Sequence, residues 1–156
     1  MHAKQILALD LGTNTGWALR RKDGQIYSGM QTFKDDRFSG GGMKMLKFRN
    51  WLENLHQTSG HIEIIVFEEV RRHVGTTAAH VYGGFLGQMS AWSEENKIPY
   101  QGIPVGTIKR HVTGKGNASK EEVVRAIVER GYSPMDDNEA DAIALLHYAI
   151  DVKIGG

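Results

Sequence analysis

Cysteine is absent from the 156 residues, so disulfides, thiolate nucleophiles and zinc–thiolate sites are all excluded. Whatever chemistry the chain performs must use oxygen and imidazole groups. Long apolar runs are missing too: none approaches the roughly 20 residues that cross a bilayer. The opening "MHAKQILALD" places an acid where a signal peptide would carry its apolar core, so the expectation is a cytoplasmic protein with no membrane partner. Neither sign of charge dominates, with 19 Lys+Arg against 18 Asp+Glu and a net charge of +1. That balance is too small to announce nucleic-acid binding, and the local distribution of charge must decide. With 40% hydrophobic and 24% charged residues and only three prolines, the composition is that of a folded domain rather than a disordered tail. The length supports one substantial core, so residues 1–156 are expected to form a single domain.

"QILALDLG" reads as a strand ending near Asp10. "TGWALRR" and "GQIYSGMQTF" alternate as two further strands joined at Asp23-Gly24, which makes an antiparallel meander. In "FSGGGMKMLKFRNWLENLHQTSG", Met45, Phe48, Trp51, Leu52 and Leu55 fall on one helical face. "IEIIVF" at 62–67 is a short strand whose crossover from that helix predicts parallel pairing with the first strand, bringing Glu68 toward Asp10. A second helix is expected from Thr77 to Asn96 despite Gly83, Gly84 and Gly87, which suggest close packing against a neighbour or ligand. "IPYQGI" continues as a strand and "PVGTIKRHV" as a short helix opened by Pro104. Ser119 and Glu122 form a capping box for "SKEEVVRAIVERG", and a last helix runs from about Asp137 to Ile150. The order β-β-β-α-β-α-β-α-α-α predicts an α/β fold with a central mixed five-stranded sheet flanked by helices.

The acids of this chain are placed oddly. Asp10 closes an apolar strand before the turn "LGTNTG", and Glu68 and Glu69 follow the apolar "IEIIVF". Alternation lets one of the two glutamates point over the sheet edge while the other is held outside. "DDNEADA" puts four acids in front of the apolar run "IALLHYAI". Helix capping and the macrodipole account for acids in a first turn, but Asp137, Asn138 and Asp141 can share one helical face while Glu139 turns away. Such like charges repel, and the repulsion grows as the site loses water; bound cations would convert it into coordination. Asp10, Glu68 and Asp141, helped by Asp137 or Asn138, have the oxygen donors that Mg²⁺ requires, and two such ions can serve phosphodiester hydrolysis. A phosphate-cradling loop is not indicated, since "DLGTNTG" matches neither a dinucleotide nor a Walker pattern. An actin-like ATPase would need a second domain.

In these segments the chain resembles the RuvC family of Holliday junction resolvases, of the ribonuclease H-like superfamily, and in particular its short phage or prophage-type members. "ILALDLGTNTGWAL" is similar to the family's first strand with its catalytic aspartate, here Asp10. "VFEEV" resembles the strand bearing the second acid, and the match assigns that role to Glu68 rather than Glu69. "NEADAIALLHYAI" resembles the last helix, with Asp141 as its characteristic aspartate. "VGTIKRHVTGKGNASKEEV" resembles the segment whose two lysines act near DNA, here Lys109 and Lys120. The resemblance spans nearly the whole chain. It departs at Asn138, where many members carry an aspartate or histidine, so the fourth site residue is either Asp137 or Asn138.

The resemblance implies a ribonuclease H-like fold and a crossover junction endodeoxyribonuclease that uses Mg²⁺, or Mn²⁺, with two ions per site. It implies symmetric cutting of four-way junctions by a homodimer, leaving 5′-phosphate and 3′-hydroxyl ends. Two other readings stay open: a ribonuclease H-like nuclease acting more broadly on flaps, forks and three-way junctions, and a junction-binding protein without catalysis. Two basic stretches could hold a DNA backbone by charge. "VRRHVG" contributes Arg71, Arg72 and His73, and "KRHVTGKGNASK" contributes Lys109, Arg110, His111, Lys115 and Lys120. The helix "HVYGGFLGQMSAW" is a candidate self-association surface, although burial explains its apolar residues equally well. His111 and His147 are expected to be structural.

Overall fold

The computed structural model describes residues 3–35, 40–73 and 75–155; Met1, His2, Phe38, Ser39 and Val74 of the stretches quoted above lie outside them. The ten elements are β1 (Ile6–Asp10), β2 (Asn14–Arg20), β3 (Ile26–Thr32), α1 (Met43–Ser59), β4 (Ile64–Glu69), α2 (Thr76–Glu95), β5 (Tyr100–Pro104), α3 (Val105–Thr113), α4 (Lys120–Glu129) and α5 (Asp137–Asp151). Their order is the one the sequence predicts, and boundaries move by two residues or fewer at most ends. The strands form one mixed sheet in the order β3-β2-β1-β4-β5. β1–β2 and β2–β3 pair antiparallel, whereas β1–β4 and β4–β5 pair parallel.

Strand alternation splits the core in two. Ile6 and Ala8 of β1, with Ile64 and Val66 of β4, face α3, α4 and α5, where Ile108, Val123, Ile127, Ile143 and Leu146 close the layer. Leu7, Leu9, Ile65 and Phe67 face the other way, onto Phe48 and Leu52 of α1 and Phe85, Met89 and Trp92 of α2. Both faces of β1 and β4 are thus covered, which is why those strands read as unbroken apolar runs. Local signals set several ends as expected. The Ser119–Glu122 capping box opens α4, the Asp136 carboxylate accepts from Glu139 N–H at the start of α5, and Gly24 takes the positive φ of the β2–β3 turn.

Two expectations need correction. Of the three glycines in α2, only Gly84 meets a close neighbour, the Met45 side chain of α1; a Cβ on Gly83 or Gly87 would stand in open space. Glu139 does not turn away to solvent. It is 6% exposed, and its carboxylate accepts from the Ser28 hydroxyl of β3 at 2.7 Å and from Met135 N–H at 2.9 Å. The reason is that α5 packs across β2 and β3, so a residue expected on its outer face is instead covered by the edge of the sheet.

α5 reaches the sheet because small residues let it. Ala8, Ala18, Ala140 and Ala144 are fully buried in this layer, and the closest point is Gly16 of β2. A Cβ there would stand 1.9 Å from the Asn138 carbonyl oxygen, a separation no side chain can occupy. Gly16 is also the register partner of Asp10. Gly16→Ala is therefore expected to destabilise the fold by about 3 kcal/mol, at the upper end of overpacking costs. Gly12→Ala, where a Cβ meets nothing within 4 Å, should change stability by no more than about 0.5 kcal/mol. Denaturant unfolding of the two variants beside the parent checks both.

Candidate active site

Three elements deliver one acid each. β1 ends on Asp10, β4 carries Glu68 just past its apolar run, and α5 presents Asp141 one turn after its closest approach to β2. Their carboxylates each offer an oxygen within 4.8 Å of the others. The β1–β4 ladder stops at the Leu9–Phe67 pair, so Asp10 and Glu68 sit where the parallel strands release one another. Openings of this kind, at the carboxyl ends of parallel strands, are where α/β sheets commonly hold ligands. The turn after Asp10 is closed by Thr15, whose hydroxyl donates to the Gly12 carbonyl at 2.6 Å.

The electrostatics of the trio are those of crowded anions. Burial raises Asp10 well above the usual carboxylate range, and the charges of Glu68 and Asp141 raise it further. Glu68 is raised by burial, and this is opposed by its hydrogen bond with Asp10 and by the Lys109 charge. Asp141 is pushed up to about 7, first by burial and then by Glu68 and Asp137, with Lys109 and Lys120 pulling the other way. Such a site holds protons unless a cation replaces them. Three clustered oxygen donors suit a hard divalent ion such as Mg²⁺ or Mn²⁺, and the cluster is consistent with a divalent-metal site.

Asp137 stands outside this trio. Its carboxylate meets Lys120 Nζ at 3.3 Å, while its charge still acts on Asp10 and Asp141. The backbone carbonyl of Asn138 is the group packed against Gly16. Lys109, on α3, lines a crevice with Glu68 and Asp141, and a separate open groove of about 630 Å³ is lined by Lys120, Asp137, Val124, Arg125 and Val128. Glu69 does turn from the trio: it pairs with Arg71 at 2.9 Å and lies beside Gly102 of β5.

The two basic stretches flank these acids but are partly engaged already. Lys115 Nζ binds Glu122 at 2.8 Å, and His111 Nε2 lies 2.7 Å from Asp151. The Arg110 guanidinium lies against Gly116, where an added Cβ would meet it at 2.8 Å. Arg71 and Arg72 are exposed, and the His73 ring packs against Tyr82 at 5.0 Å. His147 is hydrogen-bonded to Tyr132 at 2.8 Å. Thr15, Gly16 and Tyr82 were not singled out in the sequence for any part near the site. Gly16 carries a signal, a glycine inside an alternating strand; Tyr82 carries none.

No protein-family model and no curated protein matches the chain. Solved structures do. The structure titled T. thermophilus RuvC in complex with Holliday junction substrate superposes with a TM-score of 0.79 at 21% identity, over 98% of this chain and 97% of that one. A second Thermus thermophilus RuvC structure gives 0.72 at 22%, over 97% and 96%. The yeast mitochondrial Holliday junction resolvase Ydc2 gives 0.60 at 13%, over 91% and 75%. The mixed five-stranded sheet, its flanking helices and the acids at the strand ends therefore stand in a ribonuclease H-like fold, the one seen in the RuvC and Ydc2 Holliday junction resolvases.

Proposed function

We propose that this chain is a divalent-metal-dependent endonuclease that resolves four-way DNA junctions by hydrolysing phosphodiesters, leaving 5′-phosphate and 3′-hydroxyl ends. The observation that carries the reading is the meeting of Asp10, Glu68 and Asp141 within 4.8 Å inside a fold shared with junction resolvases. Three desolvated carboxylates destabilise one another unless they have a cation to bind. In the proposed site Asp10, Glu68 and Asp141 hold two Mg²⁺ or Mn²⁺ ions, with Asp137 or Asn138 as the fourth donor. The chemistry such ions supply is activation of an attacking water and stabilisation of the leaving oxygen.

The chain's own residues have separate tasks in this proposal. Lys109 and Lys120 offset the negative charge of the acids and of the scissile phosphate. Arg71, Arg72, His73, Arg110 and Lys115 hold the flanking backbone by charge, with the salt dependence that counterion release brings. Lys120 and Lys115 must exchange Asp137 and Glu122 for phosphate to do so; exposed pairs of this kind cost about 1 kcal/mol or less to break. A homodimer would present two such sites to two strands of a junction, and the outer face of α2 is the proposed self-association surface.

Asp10→Asn and Asp141→Asn are each expected to lower junction cleavage by more than about 100-fold, beyond the usual loss from a supporting residue, while leaving junction binding within a few-fold. Assay of four-way, three-way and flapped DNA with Mg²⁺, Mn²⁺ or EDTA measures this and separates symmetric resolution from broader cutting or from binding alone. Metal-dependent cleavage by the purified variants would refute the assignment.

The raised carboxylates also set a pH dependence of stability. Asp141 is ordinary when unfolded and titrates at about 7 when folded, so its contribution is full below the unfolded value and is lost as pH rises through the folded one. The melting temperature of the metal-free protein should fall between about pH 4 and pH 8. Added Mg²⁺ should recover it by on the order of 5 °C at the alkaline end and little at the acid end. Asp141→Asn should flatten both trends in a thermal-shift titration.

A further inference from the structure

Tyr82 belongs to α2, apart from the acids and the basic rim, yet its hydroxyl reaches the strand that carries Glu68. It donates to the Glu68 carbonyl oxygen at 2.9 Å and accepts from Val70 N–H at 3.3 Å, bracketing Glu69. The bracket sits where sheet support runs out on the β1 side of β4. Toward β1 the ladder has ended at Leu9–Phe67, one residue earlier. Toward β5 the ladder runs on through Glu68–Ile103 to Glu69–Pro104. Along β4, however, successive residues turn their backbone groups to opposite sides, and those of Glu68 and Val70 face β1, as the bond from Ile64 N–H to Gln5 shows. A backbone carbonyl and N–H left there would need water or a side chain, and the Tyr82 hydroxyl meets both needs with one atom. Its ring packs against His73 at 5.0 Å, so the same residue steadies the loop that carries Arg71 and Arg72.

We infer that Tyr82 is a positioning residue: its hydroxyl fixes the backbone on both sides of Glu69 and so holds the Glu68 carboxylate at its separation from Asp10 and Asp141. The inference builds on the proposed metal site. Loss of a group that orients a ligand without touching the ion typically lowers metal affinity about 10- to 100-fold. Tyr82 differs from such groups in acting through the main chain rather than through the carboxylate itself.

The test is Tyr82→Phe, which removes one oxygen and keeps the ring, compared with Phe85→Leu, which loosens the same helix at a buried residue without touching Glu68. Mg²⁺ and Mn²⁺ are titrated into each DNA-free protein by calorimetry, melting temperatures are recorded, and kcat and KM are measured on a four-way junction. Tyr82→Phe should raise the metal half-saturation about 10-fold and lower kcat at subsaturating metal, with KM for the junction within about twofold. Phe85→Leu should lower the melting temperature and leave metal half-saturation unchanged. Unaltered metal affinity in Tyr82→Phe would overturn the inference, as would an equal loss of affinity in Phe85→Leu. A parent protein that binds metal but cuts no branched DNA would refute the proposed function instead, and Tyr82 would still be judged by the titration.

Discussion

The contact on which the site depends is that between the backbone of α5 and Gly16 of β2. A missing side chain lets the Asn138 carbonyl come to a place where a Cβ would stand 1.9 Å away. From that anchor the geometry follows. Gly16 is paired with Asp10 across β1 and β2, and Asp141 lies one turn further along a helix whose Ala140 and Ala144 face the sheet layer without bulk. Larger residues at these places would lift the helix and separate its aspartate from the strand acids. Glu139 strengthens the same junction from the other side, tying α5 to Ser28 and to the turn at Met135.

Once the acids are together, desolvation and mutual repulsion dominate their behaviour. Burial is the first cause of the raised values of Asp10, Glu68 and Asp141, and the charges of neighbouring acids come next for Asp10 and Asp141. Lys109 eases Glu68 and Asp141 but does not cancel three carboxylates. The fold thus keeps in place a set of anions that are unfavourable alone and favourable around a cation. Asp137 has a second partner in Lys120, which sets it apart from the trio.

Much of the fold was legible because its signals are local and periodic. The apolar run of "QILALDLG", the capping box at Ser119 and the apolar stripe Phe48–Leu52 each act within a few residues, and each element formed where its signal lay. The glycines of α2 were harder to read. Gly84 is packed by Met45 while Gly83 and Gly87 are open, and helical spacing cannot say which side has a neighbour. Glu139 was misread for a related reason: its partner Ser28 is 111 residues away in sequence.

The sequence by itself determined the kinds of chemistry open to the chain: no thiolate, oxygen donors at the ends of apolar strands, and an acidic opening to an apolar helix. It also determined the order of elements, since hydrophobic periodicity and caps are properties of short segments. The sequence already pointed to Asp10, Glu68 and Asp141 as a set; tertiary structure alone set the distances at which they meet. Asp10, Glu68 and Asp141 come together because a parallel crossover and a close helix–strand contact bring distant segments into one space. It alone put the Tyr82 hydroxyl against the strand of Glu68 and the Asp137 carboxylate against Lys120. Distances between side chains on different elements depend on packing depth and register, which pairwise spacing along a chain does not encode.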